Sequence, residues 1–361
     1  MGKKKILDVG FVKRKMYDLQ KTIEVSSRGQ YGLAQLEDKY TIKPISLDSP
    51  NIIGIIINNF KCLESCDVLF MTFFYRQPLV LLSFLRLIGL FRKRKIVVIS
   101  HVSLAKGKSV VEKFLLRCIY SSIDVFLFHS SKNLDESVEK GLISKRRGEF
   151  LYWGDDLDYI DRHFTPIQHN FFLSTGCENR DFSKLISVFS KTQVVLEIYT
   201  NKINYNNNYE YLESYLGTYP NIHVNFVEKS LGTTHVLTKR ASECFCIVIP
   251  LIQKKVTNCL GLTSLIEAMA LGKPVISSRN PYYPIDIEKE GIGIIADDEE
   301  SWVTAINYLV SHPDEAKQMG VRARQLAERK YNIKECAKQI DKIFSASRHN
   351  NIVYSEFGRP I

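Results

Sequence analysis

The 361-residue sequence predicts an α/β protein with two doubly wound domains that face a central cleft. Short, continuous apolar runs of strand length alternate with segments of helical periodicity, which is typical of parallel sheets covered on both faces. This alternation occurs twice along the chain. A sequence of this length is sufficient for two domains of ordinary size, and 45% hydrophobic residues can fill two cores.

The first set of elements is predicted within an N-terminal domain over 1–165. Helices are expected at 79–90 and 110–120. Strands are expected at 5–9, 52–57, 68–73, 96–100 and 125–129.

The second set is predicted within a C-terminal domain over 166–345. The boundary is expected near 161–170, because this segment is polar, contains Pro166 and precedes a new strand. The last helix is expected to cross back to the first domain, and the tail 346–361 has no clear period. Strands are predicted at 171–174, 194–199, 222–226, 246–250, 274–277 and 293–295, and closing helices at 299–311, 314–330 and 333–347.

Charge is distributed unevenly. The first 165 residues contain 27 Lys and Arg against 18 Asp and Glu, and the remainder contains 22 against 21. Basic clusters at 3–5, 13–15 and 92–95 predict peripheral binding to an anionic membrane surface that high salt would reverse. The apolar stretch 79–95 fits either a buried helix or a helix lying partly in the membrane interface. No nucleic-acid recognition motif accompanies the charge.

The longest apolar run, 78–91, is too short to cross a bilayer, which needs about 20 apolar residues. Eight cysteines lack zinc-finger spacing, and most lie in apolar runs where a thiol behaves as a small hydrophobe. They are interpreted as reduced, which indicates a cytoplasmic protein. The basic clusters would place it peripherally on the inner face of the membrane.

The segment 249–278 carries the clearest chemical signal. A strand ends at Pro250, a polar loop follows, and Gly261 opens a helix predicted over 263–271. A helix N-terminus opened by glycine attracts phosphate through its N–H groups and dipole. A carboxylate farther along, Glu267, could accept hydrogen bonds from both ribose hydroxyls. The alternative is an ordinary strand–helix unit with Glu267 on a solvated face.

The run GLTSLIEAMA at 261–270, continued by GKPVI at 272–276, resembles the C-terminal signature of the family 4 retaining glycosyltransferases, which have the GT-B fold. The resemblance implies that Glu267 binds the donor ribose and that backbone amides of Gly261, Leu262 and Thr263 hold its diphosphate. One position departs from the family pattern. Cys259 occupies the place of a glutamate that contacts the transferred sugar, and the neighbouring Asn258 is expected to replace it in part.

The segment FFLSTGCENRDFSKLISVF at 171–189 resembles the first strand and loop of the same family's donor domain. Gly176 follows the strand, and the resemblance implies that Arg180 neutralises the diphosphate, since arginine can chelate phosphate oxygens. Lys184, one turn later, is a weaker candidate. The alternative is that Arg180 and Asp181 form only a surface ion pair.

His101 ends a strand of the first domain, where this family often has a histidine near the donor sugar; His129 competes with it. Asp156 and Asp158 match the metal-binding DxD motif of the GT-A fold. Here they are expected to form a solvated acidic turn, and no metal is expected to bind.

The resemblance implies transfer of a hexose, with retention, from a UDP- or GDP-linked sugar to a glycan or lipid-linked acceptor. By the same resemblance, the nucleotide-sugar-binding domain is 166–345 and the acceptor-binding domain is 1–165. A role in polysaccharide biosynthesis is implied, and no cofactor is expected beyond the donor substrate. Two alternatives stay open. A non-catalytic nucleotide-sugar-binding subunit would suit the loss of the glutamate at Cys259, whereas a GT-B nucleotide-sugar epimerase would need acid and base residues that the sequence does not reveal.

Overall fold

The structure is a computed structural model that describes residues 3–10, 25–46, 58, 60–74, 76–167, 169–204, 207–228, 230 and 232–346. The chain divides into two compact units. The first comprises Met1–Trp153 with Ile333–Ile361, and the second comprises Gly154–Asn332. Each unit has its own parallel sheet, as the alternation of apolar runs and helices predicts.

The sheet of the first unit has six parallel strands in the order β2-β1-β3-β4-β5-β6. Their bounds are Lys5–Gly10 (β1), Thr41–Ser46 (β2), Val68–Met71 (β3), Lys95–Ser100 (β4), Val125–Phe128 (β5) and Gly148–Phe150 (β6). The strand predicted at 52–57 lies outside the described residues. The sequence analysis missed β2, which contains Pro44; proline is tolerated there because β2 pairs with only β1 among the described strands.

One face of this sheet is covered by the helices Phe60–Ser65 (α1), Arg76–Leu87 (α2), Val110–Ser122 (α3) and Ser131–Glu139 (α4). The other face is covered by the last helix of the chain and by the short 3-10 helices Ser27–Gln30 and Leu33–Leu36. One core lies between the sheet and α2 and α3, where Leu79, Leu82 and Leu116 are buried. The helix predicted at 79–90 in fact begins at Arg76 and ends at Leu87.

The sheet of the second unit has six parallel strands in the order β11-β8-β7-β12-β13-β14. They are Phe171–Thr175 (β7), Val195–Thr200 (β8), Ile222–Phe226 (β11), Cys246–Ile249 (β12), Val275–Ser277 (β13) and Gly293–Ile295 (β14), and two short strands, Ile203–Asn204 (β9) and Asn207–Asn208 (β10), pair beside it. Counted along the chain, the six strands follow the order 3-2-1-4-5-6 of dinucleotide-binding domains.

The helices of the second unit are Leu157–His163 (α5), Phe182–Phe189 (α6), Thr233–Glu243 (α7), Leu262–Ala270 (α8), Glu299–Ser311 (α9) and Pro313–Arg329 (α10). Its main core contains Trp302 of α9 and Phe172 of β7, both essentially inaccessible to solvent.

The last helix, Ile333–Ser345 (α11), belongs to the first unit, where Ile340 and Phe344 are buried in the second core of that unit. The division between the units falls between Trp153 and Gly154, earlier than the boundary predicted at 165/166. The segment 154–165 packs with the second unit, since the Asp155 N–H donates to the Tyr331 carbonyl at 3.0 Å.

No helix in the described part of the chain is both long enough and apolar enough to span a bilayer. The eight cysteines all lie within the described ranges, and none of them forms a disulfide.

Candidate functional site

The two central strands of the second sheet, β7 and β12, are neighbours from which the chain leaves in opposite directions across the sheet. The loops that follow these strands are joined by backbone bonds. Arg180 pairs with Leu251 in an antiparallel bridge, and the Asp181 N–H donates to the Pro250 carbonyl at 3.1 Å. Open parallel sheets bind ligands at such a switch point, outside the carboxyl ends of the strands.

Arg180 is the cation at this point, and it is 5% exposed. Its backbone N–H donates to the Tyr209 hydroxyl at 2.9 Å, Nη1 donates to the Glu178 carbonyl at 2.9 Å, and Nη2 donates to Ser264 Oγ at 3.3 Å. Because Ser264 is in the first turn of α8, the guanidinium lies at the N-terminus of that helix.

Arg180 Nε is buried and, among the described residues, has no hydrogen-bond partner. A buried N–H group without a partner is costly, and a phosphate oxygen would satisfy it. Gly176 makes room for this arrangement. Its φ is +112°, and a Cβ added there would lie 2.7 Å from Arg180 Nη2. The absence of a side chain at Gly176 therefore lets the Arg180 guanidinium lie against the end of β7.

Gly261 caps α8 with φ +85° and no side-chain hydrogen bond to the helix. A Cβ at this position would lie 2.4 Å from Tyr283 Oη and 2.7 Å from Ile249 Cγ2, so only glycine fits. Of the amides predicted to hold a diphosphate, the Leu262 N–H is already bonded to the Cys259 carbonyl at 3.0 Å. The next residue, Thr263, is exposed. The positive end of α8 is thus left without a capping side chain beside Arg180.

The loop before α8 is held by Asn280, which the sequence analysis did not single out. The Asn280 amide donates to the Asn258 and Leu260 carbonyls, both at 3.0 Å. Cys259 is half-buried, and its thiol donates to the Tyr282 carbonyl at 3.1 Å. The thiol is therefore directed at the protein backbone in this structure.

Glu267 is 5% exposed and accepts a hydrogen bond of 2.6 Å from the Thr238 hydroxyl of α7. The carboxylate is thus not on a solvated face. Glu267 follows Ser264 by three residues, and side chains three apart on a helix are neighbours on one face. The helix therefore places this carboxylate one turn beyond the side chain that contacts Arg180.

Lys184 lies on α6, and its amine donates to the Asp297 carbonyl at 2.8 Å and lies 3.8 Å from an Asp181 carboxylate oxygen. Because the Lys184 amine is bonded to the loop after β14, the structure favours Arg180 over Lys184 as the cation of the site.

In the first unit, His101 and His129 follow β4 and β5. His101 Nε2 lies 3.2 Å from the Thr72 carbonyl, and burial lowers its pKa. His129 is more deeply buried, stacks on Tyr31 with ring centroids 5.6 Å apart, and has a pKa lowered to about 3, mainly by burial. His101 is only half-buried and is the better placed of the two to meet a ligand.

One member of the acidic pair Asp156 and Asp158 has a structural role. Asp156 caps α5, since its carboxylate accepts the Tyr159 N–H at 3.1 Å. A search of the described ranges finds no group of three or more His, Cys, Asp or Glu side chains that could hold a metal ion.

Sequence reasoning missed the residues that position the site: Tyr209, Ser264, Asn280 and Thr238. Only Ser264 lay in a segment with a recognisable pattern. Burial raises the pKa of Tyr209 to about 12, so its hydroxyl stays protonated while it accepts the Arg180 N–H. Contacts between segments distant in sequence cannot be identified from local periodicity.

Comparisons with known proteins bear on the fold and on the family of one segment. Residues 244–326 match the family model of the group 1 glycosyl transferases. A search of curated proteins found no match. Among solved structures, sucrose-phosphate synthase from Thermosynechococcus elongatus superimposes with a TM-score of 0.68, at 12% identity over 95% of this chain and 98% of that one.

Anabaena HepE in complex with UDP-glucose superimposes with a TM-score of 0.64, at 13% identity over 94% of this chain and 99% of that one. A Listeria monocytogenes protein assigned as a UDP-N-acetylglucosamine 2-epimerase gives 0.57, at 10% identity over 98% and 100%. At these identities the likeness establishes the fold. The chain thus has the GT-B fold, with two Rossmann-like domains, and its segment 244–326 is similar to the group 1 glycosyl transferases.

Proposed function

We propose that this protein is a glycosyltransferase that transfers a hexose from a nucleotide-diphosphate sugar to an acceptor. The observation that carries the proposal is the arrangement of Arg180 beside the uncapped N-terminus of α8, with Glu267 one turn farther along. A cation and a helix dipole are suited to a diphosphate, and a carboxylate is suited to a pair of ribose hydroxyls. The family match over 244–326 supports the same assignment.

In this proposal the protein acts on the leaving group. When the bond between the sugar and the diphosphate breaks, negative charge develops on the diphosphate oxygens. Arg180 and the N–H groups at the start of α8 would stabilise that charge, because preorganised donors in a partly dehydrated site cost little reorganisation. Retention of configuration and independence of a metal follow the family resemblance and belong to the proposal.

His101 would contact the transferred sugar as a neutral imidazole, since burial holds its pKa below the usual range. The sugar side of the site differs from the family pattern at Cys259, whose thiol is bonded to the Tyr282 carbonyl. Sugar recognition would then depend on Asn258 and on backbone groups of this loop. The donor nucleotide is proposed to be UDP or GDP.

The acceptor is proposed to be a glycan or a lipid-linked saccharide at the inner face of a membrane, as in polysaccharide biosynthesis. The excess of basic residues in the first 165 residues supports this location. The basic cluster 13–15 lies outside the described residues. In the cluster 92–95, Arg92 and Lys93 are exposed, but Lys95 is buried and bonded to the Ile343 carbonyl, so it adds nothing to the surface.

The first experiment is a screen of UDP- and GDP-sugars for thermal stabilisation and for donor consumption. A ligand at about 100 times its dissociation constant should stabilise the protein by about 2.7 kcal/mol. Arg180→Ala should abolish most of this shift, while Lys184→Ala, the matched control, should retain it. The absence of any shift with every donor would contradict the proposal.

Metal dependence is tested in the same assay. Turnover should survive complete chelation of divalent cations. If chelation abolished turnover and added Mg²⁺ or Mn²⁺ restored it, Asp156 and Asp158 would become the candidate metal ligands.

A second candidate is a nucleotide-sugar-binding subunit without transferase activity, and the thiol at Cys259 favours it. This candidate predicts donor binding with neither hydrolysis nor transfer. Cys259→Glu separates the two, because it should create or increase donor turnover if only the missing carboxylate limits catalysis. An epimerase shares the fold, and conversion of the donor sugar to its epimer would identify it in the same assay.

A further inference from the structure

Two helices of the first unit expose large apolar side chains. In α2, Phe84 is 58% and Leu87 62% exposed, and in α3, Val110 is 82% and Phe114 67% exposed. Single exposed apolar residues are common on protein surfaces, but a concentration of them on neighbouring elements indicates an interaction surface.

The two helices lie side by side and run in the same direction. Near their N-termini, Arg76 of α2 contacts Glu112 of α3 at 2.8 Å; near their C-termini, Ser83 Oγ and Ser122 Oγ are 2.6 Å apart. Both helices bury their inner side chains in one core against the sheet. The exposed apolar residues therefore lie on adjacent outer faces, which we call the α2–α3 face.

The segment that contains this face is strongly basic. The segment 76–121 contains ten Lys and Arg but a single acidic residue, Glu112, which is paired with Arg76. The exposed basic residues of the segment, apart from Arg76, are Arg92, Lys93, Lys106, Lys108, Lys113 and Arg117.

We propose that the α2–α3 face docks on an anionic lipid surface, with Phe84, Leu87, Val110 and Phe114 entering the boundary between headgroups and acyl chains. Aromatic and aliphatic residues mixed with Lys and Arg are typical of membrane-interface helices. Lysine is instead depleted in protein–protein interfaces, which makes a lipid the better fit to this surface. The proposal rests on the membrane-proximal acceptor proposed above and names the surface that reaches it.

Insertion of apolar side chains adds to attraction by charge. The basic residues would recruit the protein to anionic lipid through the field of the membrane surface, which extends about 8 Å at physiological salt. The apolar residues would then hold it there. Loss of either set should weaken attachment, and only loss of the apolar set leaves the charge unchanged.

The test is co-sedimentation with vesicles of phosphatidylcholine alone and of phosphatidylcholine mixed with phosphatidylglycerol. The wild type should bind the mixed vesicles and should not bind the vesicles of phosphatidylcholine alone. The double variant Phe84→Gln with Phe114→Gln should bind the mixed vesicles about tenfold more weakly or worse at low salt, because it lacks two aromatic side chains that would be buried in the lipid. Val310→Gln, an exposed position on α9 in the second unit, is the matched control and should bind like the wild type.

A second readout is fluorescence of Phe114→Trp, whose emission should shift to shorter wavelength with the mixed vesicles. Equal binding by the wild type and the double variant, or equal binding to both vesicle types, would overturn the proposal. The proposal would also be overturned if the wild type bound no vesicles but self-associated, and if the double variant abolished this self-association. The α2–α3 face would then be a contact between copies of the protein. Thermal stabilisation by UDP is measured on the same samples without vesicles, so a failure of nucleotide binding is distinguished from a failure of docking.

Discussion

The carboxyl ends of the two parallel sheets carry very different groups. In the first unit, His101 and His129 follow β4 and β5 and lie against aromatic rings, with pKa values lowered by burial. In the second unit, the loops after β7 and β12 bring Arg180 to an uncapped helix. The same architecture thus offers neutral imidazoles at one edge and a fixed positive charge at the other. This difference is the reason why we propose that the second unit binds the diphosphate.

The largest effect is expected at Gly261, where the backbone opens α8. Gly261→Ala should lower the free energy of unfolding by about 2–3 kcal/mol and abolish donor binding, since it combines a positive φ with contacts far inside van der Waals distance. Urea denaturation measures the first effect.

Gly217→Ala is the matched control for this substitution. Gly217 also lies in the second unit, has φ +71°, and has open space where its Cβ would be. Only the cost of placing alanine in a left-handed backbone conformation should remain, about 1 kcal/mol. Equal losses in the two variants would show that Tyr283 and Ile249 do not constrain the start of α8.

The next effect concerns Glu267 and the hydroxyl that orients it. Glu267→Ala should weaken nucleotide-sugar binding by about 1.5–3 kcal/mol, the range for a charged hydrogen-bond partner. Thr238→Val should cost about 1 kcal/mol of binding, since the carboxylate remains but loses the Thr238 hydrogen bond. Calorimetric titration at a temperature well below unfolding measures both. Reduced stability with unchanged affinity would assign Glu267 a purely structural role.

The smallest effect on the donor site is expected from Asp8 of β1, in the first unit. Burial raises the pKa of Asp8 to about 7, and its Oδ1 has no partner within the described part of the chain. The folded state holds this proton more tightly than the unfolded state, so the group costs stability as pH rises from about 4 to 7, and the cost persists above 7.

Asp8→Asn should therefore raise the melting temperature at pH 8, and the gain should shrink as the pH falls towards 4. Donor binding should stay unchanged. Melting curves of both proteins across this pH range give the difference that Asp8 alone contributes. A gain that grows on acidification would contradict the sign of the pKa shift.

The fold was accessible from the sequence because its strands are continuous apolar runs. The strands Ile222–Phe226 and Gly293–Ile295 and the helix Glu299–Ser311 agree with their predicted bounds. Where the pattern failed, other forces decided the structure. Pro44 lies within β2, and proline argues against a strand when only the sequence is considered. The sequence of α7 is largely polar, so its helical structure depends on packing rather than on a periodic apolar pattern.

The candidate site was accessible only in part. The glycine-opened helix made Gly261 and Glu267 identifiable as candidates, and Arg180 was identifiable through the resemblance to the family 4 glycosyltransferases. Their partners were not, because Thr238 and Tyr209 come from segments with no chemical motif and contact the site only through tertiary packing. For the same reason the sequence left open whether the stretch 79–95 is buried, whereas the structure shows an inner buried face and an outer exposed one on α2.

The most direct test is calorimetric titration of UDP into the wild type, Arg180→Ala and His101→Ala. If the second unit holds the diphosphate, UDP should bind the wild type and His101→Ala with similar affinity, while Arg180→Ala should bind about 10- to 100-fold more weakly, the equivalent of about 1.5–3 kcal/mol. Undiminished UDP binding by Arg180→Ala, or a loss confined to His101→Ala, would contradict the assignment.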